Sequence, residues 1–402
     1  MFVKILTLLL VIGLVKGEEV SYDNFALYKV HAKNEDHVKF LKELEKEDDL
    51  QIWKLPSDVG DYASIVAPPE KREEFEHSLS KRSIHSEVML ENIQEAFDAQ
   101  LFSRRKRDAS DQLYWTNYQT MDDIIDWFNY LTRNYNFVSQ VTVGQTAEGR
   151  NITGIKITRG SGTRAFVLQG GDIGADWLSP TVMTYFADQL IRSDNAEIKA
   201  AAEDFTWYIF PLVNVDGHQF SQDSIRLWFK NRRRLGISNQ QIIYGVDITK
   251  NWNAQWAVSG GSFDSREDNY IGIGPFSELE TRALSDFISN EIGTRLSGYL
   301  NFRSFGQRIV IPFAHTDQLM YNYDDMVTVM RRAMGSLAVR YNTQYQVGNS
   351  RAVHDGATGS VIDWVKHRFN PPVVATYLLR DTGIWGYTLP VNQITPTCEE
   401  TF

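Results

Sequence analysis

The sequence predicts an α/β protein, a mixed and mostly parallel twisted sheet covered by helices on both faces, preceded by a small α+β unit. Three observations carry this. Downstream of residue 108, short runs rich in aliphatic and aromatic residues alternate with long segments of helical period, as in a sheet buried on both faces. Upstream, between residues 22 and 82, the runs are shorter and the helical segments more charged, which marks a separate compact unit. Between the two lies the dense basic run Arg104-Arg105-Lys106-Arg107.

In chain order, residues 1–17 read as a secretory leader, with Lys4, the apolar run 5–15 and the small Gly17 at a cleavage position. The apolar run is too short to span a bilayer. Strands are expected at 25–30, 50–55 and 62–67, the last stopped by Pro68 and Pro69, with amphipathic helices at 35–47 and 69–81 and a further helix over 86–102. Beyond the basic run, helical spacing covers 121–134, 179–191, 277–292 and 324–341, and strands are expected at 137–143, 152–158, 164–169, 205–212, 295–302, 308–313 and 373–379. Ser277 and Glu280 have the spacing of a capping box. The expected division is a leader at 1–17, an N-terminal unit at 18–107 and a main domain at 108–402.

A formal charge of −10 excludes the clustered basic surface that nucleic acid requires, and no later stretch is long and apolar enough for a membrane span. The leader implies secretion. Cys398 is the sole cysteine, so no disulfide forms within the chain, and its thiol is either free or an intermolecular link. Asn151-Ile152-Thr153 is a glycosylation candidate at Asn151, consistent with that route. The run Arg104 to Arg107 is expected to be a processing site, cut after Arg107 to leave Asp108 as a new N-terminus.

The chemistry should sit where the strand 164–169 hands over to the helix 179–191, because loops at strand C-termini open outward and glycine lets backbone approach a ligand. That loop reads Gly170-Gly171-Asp172-Ile173-Gly174-Ala175-Asp176-Trp177. It holds two aspartates and no histidine.

Further runs give the chain a family resemblance. They are Gly144-Gln145-Thr146-Ala147-Glu148-Gly149-Arg150, Val213-Asn214-Val215-Asp216-Gly217, Arg226-Leu227-Trp228, Val246-Asp247, Asn251-Trp252, Phe276-Ser277-Glu278 with Glu280-Thr281, and Leu379-Arg380-Asp381-Thr382-Gly383. Leu389-Pro390, Gln393-Ile394 and Pro396-Thr397 follow in order. With these the main domain resembles the pancreatic-type zinc carboxypeptidases, and residues 22–107 resemble that family's activation segment. The resemblance implies the family's fold and a long terminal helix beginning near Phe402, where the sequence stops.

It also implies where the family's chemistry would lie. The His-x-x-Glu slots of the zinc site fall on Ile173 and Asp176, and the distant histidine slot falls on Arg303. Zinc needs three protein ligands at roughly 2.0–2.3 Å and an open position, which a hydrocarbon, one carboxylate and a guanidinium do not supply. No zinc or other cofactor is therefore expected. The general-base slot is Leu378, the slot of the carbonyl-polarising arginine is Phe229, and the mobile-tyrosine slot is Asp355. The carboxylate-clamping Asn-Arg pair maps to Thr249 and Lys250, which Arg226 beside Trp228 could assist, and the pocket floor maps to Ile362.

Three functions are compatible with this. The first is an inactive, secreted carboxypeptidase-like protein that binds a peptide or protein ligand through the degenerate cleft. The second is an active metallocarboxypeptidase with non-standard ligands, which needs His354 or His315 at the site. The third is a structural or storage role. For the first, Arg303 is expected to pair with Asp176 where the family keeps its metal, a guanidinium replacing the lost positive charge.

Overall fold

The computed structural model describes residues 20–46, 49–104, 113, 115–238, 241–316, 318–354 and 356–402. In the N-terminal unit, β1 (Ala26–His31), α1 (Glu35–Glu43), β2 (Gln51–Lys54), β3 (Tyr62–Ala67), α2 (Arg72–Lys81) and β4 (Ser86–Leu90) build an antiparallel sheet of order β2-β3-β1-β4. Strand alternation sorts its side chains into two buried faces. Ala26, Tyr28, Val30, Ala63 and Ile65 pack with Leu41, Phe75 and Leu79 of the two helices. Leu27 and Val66, on the opposite face, pack with Trp53 against residues of the main domain. Both faces are covered, so β3 is apolar along nearly its whole length and reads clearly in the sequence.

Helix α3 (Ile93–Arg104) leads out of this unit. The expected single helix over 86–102 is corrected here: its first third is β4, paired antiparallel to β1 with Lys29 opposite Glu87 and Val30 opposite Ser86. Helix-compatible residues there are overridden by the free edge of β1.

The main domain opens with α4 (Met121–Asn134), whose Thr120 and Asp123 form a reciprocal capping box. Then come β5 (Val138–Gln145), β6 (Asn151–Ile157), β7 (Ala165–Gln169), α5 (Leu178–Arg192), α6 (Ala196–Asp204), β8 (Thr206–Phe210), α7 (Val215–Asp223) and the hairpin β9 (Arg234–Ser238) and β10 (Gln241–Tyr244). The chain continues through α8 (Leu279–Phe287), β11 (Leu296–Arg303), β12 (Arg308–Ile311), α9 (Tyr323–Tyr341), β13 (Gln346–Asn349), α10 (Ser350–Val353), α11 (Val361–Phe369), β14 (Val373–Leu378) and α12 (Ile394–Thr401). Eight strands form one sheet of order β13-β12-β14-β11-β7-β8-β6-β5. Its middle strands β14, β11, β7 and β8 run parallel, and antiparallel pairs close toward both edges.

The capping box expected at Ser277 does not form. Helix α8 begins one residue later, with Glu278 at its head and no side-chain cap. The Glu278 amide donates to Asn251 Oδ1, and Ser277 Oγ donates to Glu278 itself. An acceptor distant in sequence thus satisfies a backbone donor at the helix head.

Candidate active-site cleft

The parallel strands β7, β11 and β14 end side by side, with Asn301 opposite Gln169 and Arg303 opposite Leu378. The loop after β7 is pressed into the molecule. Gly171 has φ +64, and a Cβ there would lie 2.8 Å from the Cα of Leu212; a Cβ on Gly174 would lie 2.5 Å from the Trp228 carbonyl. Glycine is required at both, which fixes the path of the loop.

Asp172 is buried at the floor, accepting hydrogen bonds from Gln169 Nε2 at 2.5 Å and Asn301 Nδ2 at 2.7 Å. Tyr299 donates to Gln169 in turn. Burial pushes the Asp172 carboxyl up to about 6, and these amide hydrogen bonds and the Arg303 charge only partly oppose it.

Asp176 is fully buried and its oxygens are committed. Oδ1 accepts from the backbone N–H groups of Leu178 and Ser179 at the head of α5, each at 3.1 Å. Oδ2 accepts from Ser179 Oγ at 2.8 Å and from the Ser304 backbone N–H at 2.7 Å. The expected Arg303–Asp176 ion pair is absent: no Arg303 nitrogen comes within 4.0 Å of an Asp176 oxygen. The helix head and the Ser304 amide need Asp176's lone pairs, and they bind it without the entropy of ordering a long side chain. Arg303 instead places Nη2 at 3.5 Å from His354 Nε2.

Ile173 is half-buried in an apolar cluster with Ala175, Leu227, Phe229, Phe305 and Tyr387 of the main domain and Trp53 of the N-terminal unit. The ring of Phe229 meets Tyr387 edge-on at 5.2 Å. Leu378 is buried in the main core at the end of β14. Asp355 lies outside the described residues.

The substrate-pocket positions are distributed differently from expectation. Arg226 is buried. It donates to the carbonyls of Ala175 and Tyr387, each at 2.8 Å, and to Gln100 Oε1 of α3 at 3.0 Å, and its guanidinium lies 3.6 Å above the Trp177 ring. Burial pushes it down to about 9. A cavity of about 10 Å³ remains beside it, room for one water at most. Lys250 pairs with Asp247 at 2.6 Å, and Thr249 donates to the same carboxylate, so neither presents an open clamp. Ile362 is 2% exposed within the main core.

His315 lies apart from the cleft residues, 3.5 Å from Asp363 and packed on Phe313 and His367. His354 does reach the third family slot, but beside a guanidinium that repels a divalent ion. Cys398 is fully buried and not disulfide-bonded, which removes it from the surface of this chain as an intermolecular link. Asn151 is exposed at the start of β6. Arg104 ends α3, while Arg105, Lys106 and Arg107 lie outside the described residues.

The runs that carry the resemblance are accounted for by the backbone they hold. Asp216, fully buried, accepts from Thr146 Oγ1, the Glu148 amide and Arg150. Asp381 accepts from the amides of Gly383, Ile384, Trp385 and Gly386 and so shapes the loop that presents Tyr387.

Sequence reasoning missed the contact between the two units. Asp61 of the N-terminal unit bonds Arg308 at 2.6 Å and Lys54 at 2.8 Å, all three side chains nearly buried. Lys29 donates to the Thr382 carbonyl at 2.8 Å, and Gln100 donates to the carbonyls of Tyr387 and Leu389 at 3.2 and 3.0 Å. Trp53 meets Phe305 and Tyr387 edge-on, at 6.3 and 5.4 Å.

An eight-stranded mixed sheet with its cleft at the ends of the parallel strands, under a four-stranded N-terminal unit, defines a peptidase fold of the kind made with an activation segment. The chain belongs to the zinc carboxypeptidase family: the family model described as zinc carboxypeptidase matches residues 124–402, and that of the carboxypeptidase activation peptide matches residues 28–100. It is 34% identical to zinc carboxypeptidase A 1 of Anopheles gambiae over 96% of this chain and 89% of that one. It is 31% identical to carboxypeptidase B of Rattus norvegicus over 99% and 96%. The crystal structure of carboxypeptidase A from Helicoverpa armigera superposes with a TM-score of 0.85 at 22% identity, over 95% of this chain and 96% of that one, a likeness of fold.

The residues at the family's metal position do not fit zinc. Ile173 has no donor atom, Arg303 is a cation, and both oxygens of Asp176 already accept protein hydrogen bonds.

Proposed function

We propose that this chain is a secreted, catalytically inactive member of the zinc carboxypeptidase family that binds a peptide or protein partner through its altered cleft. One observation carries this: the carboxylate at the family's ligand position, Asp176, is spent on the amides of Leu178, Ser179 and Ser304. With Leu378 and Phe229 at the base and electrophile positions, peptide hydrolysis would require three functions to be supplied at once, and losing even one typically lowers the rate by orders of magnitude. The apolar floor of Ile173, Phe229 and Tyr387 suits an aromatic or aliphatic side chain. The N-terminal unit already places Trp53 there, so a partner competes with it. Cutting after Arg107 frees the unit to leave, giving a mature domain of residues 108–402. Neither nucleic acid nor membrane enters this reading. Among the described residues, no helix is long and apolar enough to cross a membrane.

The test uses chain cut at the basic run, offered peptides with free apolar or basic C-terminal residues. Saturable binding without release of C-terminal amino acids is expected. Chelator-sensitive release of those residues would overturn the proposal.

A further inference from the structure

We propose that His31, His85 and Glu87 form a binding site for a zinc-type divalent cation on the N-terminal unit, separate from the altered cleft. His31 ends β1 and its backbone N–H donates to the His85 carbonyl at 2.9 Å, which sets the two histidines side by side. Glu87 is two residues after His85 in the same extended stretch, so its side chain returns to the same face. His31 Nε2 and His85 Nε2 both point at one oxygen, Glu87 Oε1, at 2.9 and 3.4 Å. All three ligand atoms lie within 4.8 Å of one another.

Ligands bound tetrahedrally at zinc distances sit about 3.4 Å apart, so small side-chain rotations would place an ion among these three. The donor set is two imidazoles and one carboxylate, a combination that suits zinc and its borderline neighbours and not magnesium or calcium. A surface ion pair would need only one imidazole. Here a second ring is stacked on the first at 5.5 Å and turned to the same oxygen, which brings two imidazole nitrogens to one point, each able to offer a lone pair to a metal once its proton sits on the other ring nitrogen. The backbone beneath is rigid, since β1 is hydrogen-bonded on both sides, to β3 and to β4. The side chains are 31%, 55% and 48% exposed, leaving the fourth position open to water or to an outside ligand. Lys29, opposite Glu87 in the ladder, is turned to the Thr382 carbonyl.

The test is equilibrium dialysis of untagged full chain against Zn²⁺ at pH 7.5, followed by elemental analysis, for the parent and for H31A/H85A with its fold checked by circular dichroism. One ion per parent chain, lost in the double variant, is the expected result. Lowering the pH to 5.5 should also release the ion, since protons compete for both imidazoles. Cobalt in its place should give visible absorbance in the parent and not in the variant. No stoichiometric uptake by the parent, or uptake unchanged in the variant, overturns the site. Two ions in the parent and one in the variant would support it and instead contradict the metal-free cleft.

Discussion

The indole of Trp53 meets the ring of Tyr387 edge-on, centroids 5.4 Å apart and planes at 75°, across the boundary between the N-terminal unit and the main domain. Tyr387 in turn touches Phe229 and Phe305, so the side chain at the family's electrophile position belongs to an apolar core shared by both units. A cut in the linker should therefore leave the two pieces associated when no partner competes. Size-exclusion chromatography of cut chain is expected to give one peak containing both fragments. Trp53→Ala should weaken docking by about 3 kcal/mol, roughly a hundredfold in dissociation constant. Separation of parent fragments on cutting would show that the shared core is too weak to hold them.

The Asp61 carboxylate lies between Lys54 and Arg308, and although burial pushes its carboxyl up, the two cations hold it well below the usual range. A depressed carboxyl contributes stability that is present above its unfolded pKa of about 3.9 and lost only as pH falls through the lower folded value. Docking should thus persist at pH 4. Asp61→Asn should cost about 3 kcal/mol at pH 7, because Lys54 and Arg308 are left close together without their counter-charge. Chemical denaturation of the full chain at the two pH values measures both.

Asp176→Ala should destabilise the main domain by about 2–4 kcal/mol, since four donors lose a buried charged acceptor. Arg303→Ala should cost under about 1 kcal/mol. The two effects should add to within about 0.5 kcal/mol in a double-mutant cycle. A larger coupling would indicate that the side chains pair in solution.

Asp172 carries the opposite pH signature from Asp61. Its carboxyl is pushed up to about 6 by burial, so the folded state holds a proton that the unfolded state releases at about 3.9. Stability falls as pH rises through that window. Asp172→Asn should remove roughly 1–3 kcal/mol of that dependence, read as a smaller difference between the Tm at pH 4.5 and at pH 7. An unchanged difference would assign the pH dependence to other carboxyls.

The sheet was legible because its central strands are buried on both faces and read as apolar runs, β3 was stopped by proline, and α4 showed in its helical spacing. Strand β4 was not, because Glu87, Met89 and Leu90 suit a helix until the edge of β1 is placed beside them. At the cleft, Ile173, Phe229 and Leu378 stood out as departures from the family's residue types at those positions. What Asp176 does instead was hidden, because the Ser304 amide that binds it lies 128 residues away. Arg226 looked like a pocket cation for the same reason, since nothing in the spacing shows that Gln100 folds back onto it, whereas the Asp247 that pairs with Lys250 lies only three residues before it.

That span of 128 residues between Asp176 and Ser304 has a kinetic side. A bond closing so large a loop gains nothing until β7 and β11 are already in register, because the chain entropy of closure is lost beforehand. The amide of Ser304 should therefore be among the last to gain protection from hydrogen exchange during refolding. A ribosome-bound nascent chain would carry Asp176 without its Ser304 partner through more than a quarter of its synthesis.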